Sequence, residues 1–183
     1  MVKEFYLIMQ FKTKNYKLRL VNIKMVNENY LSWFKDKKVN NYIDSRPKNI
    51  NQLKYEVSKM INQKKTIFWG IFKENKHIGN IKIFEINYKN NFARLGILIG
   101  DKNYRNKGCG KEIIKAVLLF LLKKKINKVW LGVGKKNLAA IKAYKKCNFV
   151  KYKYNEKYLN IRLKKNNIKY NQKHIFMLSK ILK

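Results

Sequence analysis

Hydrophobic positions along this chain change their period several times, and each change marks an element. Lys17-Leu18-Arg19-Leu20-Val21 alternates polar with apolar and predicts a strand. From residue 22 to residue 42 the spacing turns helical, with Leu31, Trp33, Phe34 and Val39 as core candidates, and Arg46-Pro47 breaks the run. A second helix follows Asn49 or Asn51. Its Leu53, Val57, Met60 and Ile61 fall at i, i+4, i+7 and i+8, which makes one apolar face. Residues 66–72 and 78–86 flank Lys73-Glu74-Asn75-Lys76-His77, a hairpin signal. Tyr88-Lys89-Asn90-Asn91 then turns the chain into a third strand over 92–100. A turn at 101–110 leads into a strongly apolar helix at 111–125, a short strand at 128–133 and a helix at 137–147. Extended chain resumes at 149–154, a polar loop covers 164–173, and Ile175-Phe176-Met177-Leu178 reads as a last strand. Residues 1–15 read as an N-terminal extension or loosely attached strand, and 16–183 as the domain proper. The order is β, α, α, β-β-β, α, β, α, β, β, which defines a mixed α+β or α/β domain on one sheet.

Composition narrows the class. At 183 residues, with 46% hydrophobic and 14% aromatic side chains, the chain suits one domain with a substantial core and argues against disorder. No stretch reaches the ~18 uncharged apolar residues of a membrane span. The apolar run near the start lacks a signal-peptide cleavage site. Cys109 and Cys147 are the only cysteines, and their spacing fits neither a metal site nor a disulfide framework. The reading is a cytoplasmic protein with reduced thiols, no membrane insertion and no metal.

The charge balance is extreme: 44 Lys+Arg against 10 Asp+Glu, a formal +34. Part of this reflects a Lys/Asn/Ile-rich composition, and part is consistent with anionic ligands. The cations are spread along the chain and form no basic stripe, which argues against a nucleic-acid-binding module.

Candidate chemistry concentrates in Asn103-Tyr104-Arg105-Asn106-Lys107-Gly108-Cys109-Gly110, between a strand and the apolar helix. Glycines there permit tight backbone turns, and the free N–H groups of the first helical turn attract an anion, with Arg105 and Lys107 adding positive charge. The pattern R-x-x-G-x-G matches neither the dinucleotide fingerprint nor the P-loop. Downstream, Asn137 is a good N-cap for the helix carrying Leu138, Ile141 and Tyr144, and Asn148 stands where that helix must stop. Tyr144 is placed to point inward or along a groove.

The stretch from Gly96 to Gly110 closely resembles motif A of the GNAT superfamily of N-acetyltransferases. Residues 137–149 resemble its motif B, with Asn148 where the family has glycine. Asparagine is the next most tolerant residue in the left-handed conformation, so this departure is conservative. The resemblance covers the chain from about Tyr16 onward. It implies a single α/β (α+β) domain with a central mixed, mostly antiparallel sheet flanked by about four helices, and acetyl-CoA as cosubstrate. It assigns the cofactor to Ile97, Leu98, Ile99, Arg105, Asn106, Lys107, Gly108, Cys109 and Gly110, chiefly through main-chain amides, with Asn137 assisting. Tyr144 would donate a proton to the departing CoA thiolate.

A general base or water chain must deprotonate the amine. Glu85, near the end of a central strand, is the candidate, and an exposed strand-end carboxylate is its plainer reading. Asp101 reads instead as a turn cap, and His77 lies far from the expected centre. Residues 30–43 resemble the branch containing ribosomal-protein N-terminal acetyltransferases and enzymes that acetylate nucleotide-linked amino sugars. The expected acceptor is a small-molecule amine, anionic in the nucleotide-sugar reading, with a protein N-terminus as alternative. The protein is expected as a monomer or homodimer.

Overall fold

The computed structural model describes residues 10–43, 46–152 and 174–181. The polar loop expected at 164–173 and most of the extended stretch after 149 lie outside the described residues.

Among the described residues eight strands form one sheet: β1 (Gln10–Lys12), β2 (Lys17–Leu20), β3 (Ile67–Lys73), β4 (Lys76–Asn87), β5 (Phe92–Ile99), β6 (Lys128–Gly134), β7 (Val150–Lys151) and β8 (His174–Lys180). Their spatial order is β1-β2-β3-β4-β5-β6-β8-β7. Every neighbouring pair is antiparallel except β5 and β6. That parallel pair needs a crossover, which α4 (Cys109–Lys123) supplies. The remaining helices are α1 (Glu28–Ser32), α2 (Lys37–Asn40), α3 (Ile50–Asn62) and α5 (Leu138–Lys145). Residues 10–15 are tied to the domain: β1 pairs with β2, and Thr13 and Asn15 donate to the Glu112 carboxylate on α4.

The pleat divides the strand residues between two cores. One face carries Trp69, Ile71, Ile81, Ile83, Ala93, Leu95, Val129 and Leu131, buried against Ile113, Ile114, Val117 and Leu121 of α4 and Tyr144 of α5. The other face gives Phe68 and Leu98 to a second cluster with Tyr30, Leu31, Trp33, Leu53 and Val57 from α1–α3. Because α4 is apolar on most of its surface, it is held chiefly by burial, and its N-terminus has no side-chain cap. It ends in a Schellman turn, where Ile126 N–H reaches Leu121 O and Lys125 N–H reaches Leu122 O, both at 2.9 Å, with Lys125 left-handed at φ 62°.

The structure corrects three details of the sequence reading. The helical run expected over 22–42 is broken into short segments, because Asn22, Asn27 and Asp36 each accept a main-chain N–H and restart the chain there. On α3, Leu53 and Val57 are fully buried, but Ile61 at the last turn is 39% exposed. Leu138, whose spacing puts it on one face of α5 with Ile141 and Lys145 or Tyr144, is 73% exposed. It occupies the first helical position, ahead of the turns that pack on the sheet.

Candidate active site

The two parallel strands stay paired for only three residues: Phe92↔Lys128, Ala93↔Val129 and Arg94↔Trp130. Beyond Arg94 and Trp130 both strands continue, β5 to Ile99 and β6 to Gly134, without pairing to each other. Each keeps its outer partner, β4 for β5 and β8 for β6. The result is a wedge-shaped opening between the C-terminal ends of two parallel strands, edged by main-chain groups that a ligand can pair with. Ile97, Leu98 and Ile99 form one edge. The sequence gives little sign of this split.

At the mouth of the wedge α4 begins. Asn27, Asp36, Asn49 and Asn137 each cap their helix with a side-chain oxygen. The N-cap of α4 is Gly108, left-handed at φ 82°, with no side-chain cap. A Cβ built at Gly108 or at Gly110 meets nothing within 4 Å. The first turn of a 15-residue helix therefore faces open space with its N–H groups free of side-chain acceptors. Such a terminus is suited to a phosphate. Asn106, also left-handed at φ 61°, shapes the approach.

The side chains around this turn divide by role. Arg105 turns away from it: Nε donates to Ile99 O at 2.8 Å, Nη1 to Asp36 Oδ2 at 2.6 Å, and Nη2 to Gly100 O. Its guanidinium thus fixes the end of β5 and ties it to α2, and it holds the Asp36 carboxyl below its usual range. Asp101 caps the short turn at Lys102–Tyr104 through Asn103 N–H and pairs with Lys76 Nζ at 2.7 Å. Cys109 is buried, its thiol pushed up to about 11 by desolvation, so its contribution to the turn is main chain. Across the wedge, Tyr42 donates to Lys136 O at 3.2 Å and lies against Gly134, where a Cβ would sit 3.2 Å from its ring. The segment from Asp36 to Tyr42 therefore touches both lips of the opening. In the sequence Asp36 carries no periodic signal, and Tyr42, within the 30–43 stretch, reads as helix packing with Trp33 and Phe34.

Asn137 Oδ1 accepts from Ala140 N–H at 3.2 Å and starts α5. Tyr144, the next-to-last residue of that helix, is buried in the α4-side core, and burial pushes its phenol up to about 12. Asn148 is left-handed at φ 61°, as the glycine-to-asparagine argument requires.

Glu85 sits in a bulge where the β4–β5 register shifts between Phe84 and Asn87, with φ 52°. Its Oε1 lies 3.3 Å from Arg94 Nη1. His77 is on β4 within the second core, against Tyr30, Trp33 and Phe72. Among the described residues no group of three His, Cys, Asp or Glu could hold a metal ion, and no helix is long and apolar enough to cross a membrane.

A mixed sheet whose single parallel pair splays open beside an uncapped glycine-started helix is the architecture of an acyl-CoA-dependent acyltransferase. Residues 17–150 match the family model described as the acetyltransferase (GNAT) domain, and the chain belongs to that family. It is an acetyl-CoA-dependent N-acetyltransferase acting on amines, and acetyl-CoA is its cosubstrate. No curated protein sequence gives a significant match.

Solved structures share the fold at low identity. RimL, a ribosomal alpha-N-protein acetyltransferase in complex with coenzyme A, superposes with a TM-score of 0.74 at 14% identity, covering 92% of this chain and 96% of its own. A chimera of the spermidine N-acetyltransferase SpeG from Vibrio cholerae gives 0.70 at 18% identity, covering 91% and 96%. An aminoglycoside acetyltransferase with coenzyme A gives 0.70 at 14%, covering 90% and 94%.

Proposed function

We propose that this acetyltransferase acts on a small primary amine that carries an anionic group, with a nucleotide-linked amino sugar as the preferred acceptor. The observation that carries the anionic preference is the chain's formal charge of +34, which favours encounter with negatively charged small molecules. A protein N-terminus is the alternative acceptor.

In this reading the amides of Cys109, Gly110 and Lys111 hold the pyrophosphate of CoA. The open space above Gly108 and Gly110 and the missing side-chain cap support that assignment. Ile97, Leu98 and Ile99 line the pantetheine arm, Asn106 and Lys107 border the phosphates, and Arg105 keeps the strand end in place. Asn137 helps to place the cofactor by setting the start of α5. Acetyl-CoA supplies the acetyl group as an activated thioester. A neutral amine attacks its carbonyl carbon, and Tyr144 gives its phenolic proton to the departing thiolate. Burial keeps that phenol protonated at neutral pH, as a proton donor needs to be. Glu85 was the candidate base, but its carboxylate is already paired with Arg94. In this reading that contact leaves Glu85 engaged with Arg94, and the amine's proton leaves through water. The two buried, unpaired cysteines suit a reducing, cytoplasmic setting.

Calorimetry with acetyl-CoA, followed by thiol-release assays on an acceptor panel, tests the reading. Binding of acetyl-CoA with fastest turnover on a nucleotide-linked amino sugar is the expected result. Fastest turnover on a polyamine would sink the anionic acceptor, and fastest turnover on a peptide would replace it with a protein N-terminus.

A further inference from the structure

Phe84, Arg94 and Trp130 hold neighbouring register positions on β4, β5 and β6, so they form one row on the sheet face away from α4. The Arg94 guanidinium carbon lies 4.9 Å from the Phe84 ring centroid and 4.5 Å from that of Trp130. Stacked between two rings, with Nη1 held by Glu85, the guanidinium is positioned before any ligand arrives. One carboxylate contact leaves most of its five donors unused, and no second acceptor reaches it among the described residues.

Next to it Gly132 presents no side chain. A Cβ there would sit 3.9 Å from Arg94 Nη2 and 3.6 Å from the Phe176 ring, so a guanidinium nitrogen and an aromatic edge bound the space. Lys82 stands on the same face, paired with Gly96, its ammonium 4.5 Å from the Phe84 ring centroid. Lys82 forms no ion pair among the described residues, and burial together with Arg94 lowers its pKa. The indole N–H of Trp130 is buried without an acceptor. Two cations share this patch with one carboxylate, which leaves a positive charge to be balanced. The patch borders the apex of the wedge, since β5 and β6 part immediately after Arg94 and Trp130.

We propose that Arg94 and Lys82 recognise a carboxylate or phosphate group of the acceptor, seated over the glycine floor of Gly96 and Gly132, with Glu85 as the residue that positions Arg94. This rests on the acetyltransferase reading above and adds the residues that select the acceptor. An amino acid and a nucleotide-linked amino sugar both carry the required anionic oxygens, and the test separates them.

Initial rates of thiol release are measured on matched acceptor pairs: an amino acid against its amide, and a nucleotide-linked amino sugar against the free amino sugar. In one of these pairs the anionic member is expected to have roughly tenfold or higher kcat/KM, the scale of a charge-assisted hydrogen bond. Arg94→Gln and Lys82→Gln should each shrink that preference through KM, with acetyl-CoA affinity by calorimetry unchanged, and Arg94→Lys should keep part of it. Gly132→Ala fits the fold, because its methyl meets only ordinary contact distances, and it should raise KM for the same acceptor. A wild type that prefers the neutral member of both pairs, or a preference that survives both glutamine variants, overturns this inference and leaves acetyl transfer standing. Failure of the wild type to bind acetyl-CoA would overturn both readings.

Discussion

The rings of Tyr144 and Phe149 lie 5.8 Å apart because the chain reverses between them in a Schellman turn. Phe149 N–H reaches back to Tyr144 O and Asn148 N–H to Lys145 O, both at 3.1 Å, which places the two side chains where that motif puts its apolar contact. Tyr144 is therefore oriented by the helix end as well as by the core. Asn148 is the hinge of this arrangement at φ 61°. Asn148→Gly is expected to stay within about 0.5 kcal/mol of wild type, and Asn148→Val to lose about 1–2 kcal/mol in urea unfolding. The valine variant should also turn over more slowly at saturating substrates, since Tyr144 shifts with the turn.

Tyr144→Phe keeps the ring packing and removes the hydroxyl. It should lower kcat by roughly 100-fold or more, the usual scale of general acid catalysis, while calorimetry shows acetyl-CoA affinity unchanged. The pH profile is a separate check. An acid loses activity as pH rises through its own pKa, and burial holds this phenol at about 12. The wild-type kcat should therefore show no falling limb from Tyr144 up to pH about 10. A limb near pH 8 or 9 that disappears in Tyr144→Phe would keep the acid role but contradict the raised pKa, and a falling limb that persists in Tyr144→Phe belongs to another group.

What the sequence made legible follows from what carries a period or a special backbone need. The third to fifth strands, α4 and α5 show continuous apolar patterning, and their positions match within two or three residues. Gly108 and Asn148 were readable because a left-handed residue between regular elements has few alternatives. The wedge was not readable, because strand pairing beyond Arg94↔Trp130 depends on the whole sheet's twist and not on any local residue. Arg94 lies among strand residues and carries no local signal of its own. Only the register across β4, β5 and β6 reveals its two aromatic neighbours.

Gly110 offers a way to separate cofactor binding from folding. It lies in the first turn of α4 with right-handed backbone, and a Cβ there meets nothing within 4 Å. Valine is a slightly better helix residue than glycine, by a few tenths of a kcal/mol, so Gly110→Val should fold with at least wild-type stability. Its branched side chain would fill the approach to the free amides. Acetyl-CoA affinity should fall at least tenfold, about 1.4 kcal/mol, with the thermal midpoint of the ligand-free protein held. Unchanged affinity would show that the phosphates lie elsewhere.

His77 links the second core to pH. Its Nε2 lies 2.9 Å from Asn80 Oδ1, its Nδ1 is buried without a partner, and the rings of Tyr30, Trp33 and Phe72 surround it. Desolvation lowers its pKa, so the folded state holds the imidazole neutral where the unfolded chain would protonate it. The unfolded state then binds more protons below the ordinary imidazole value of about 6.5. Stability attributable to this residue is complete above that pH and declines as pH falls toward the lowered folded value. The carboxylates held low by partners, Asp36, Asp101 and Glu112, act in a separate window, near and below pH about 4. His77→Gln should therefore flatten the pH dependence of unfolding free energy between pH 6.5 and 5. The chain's only other histidine is His174, and His174→Gln serves as the comparison. An equal slope in wild type and His77→Gln would show that the buried imidazole is already protonated or relieved by local opening.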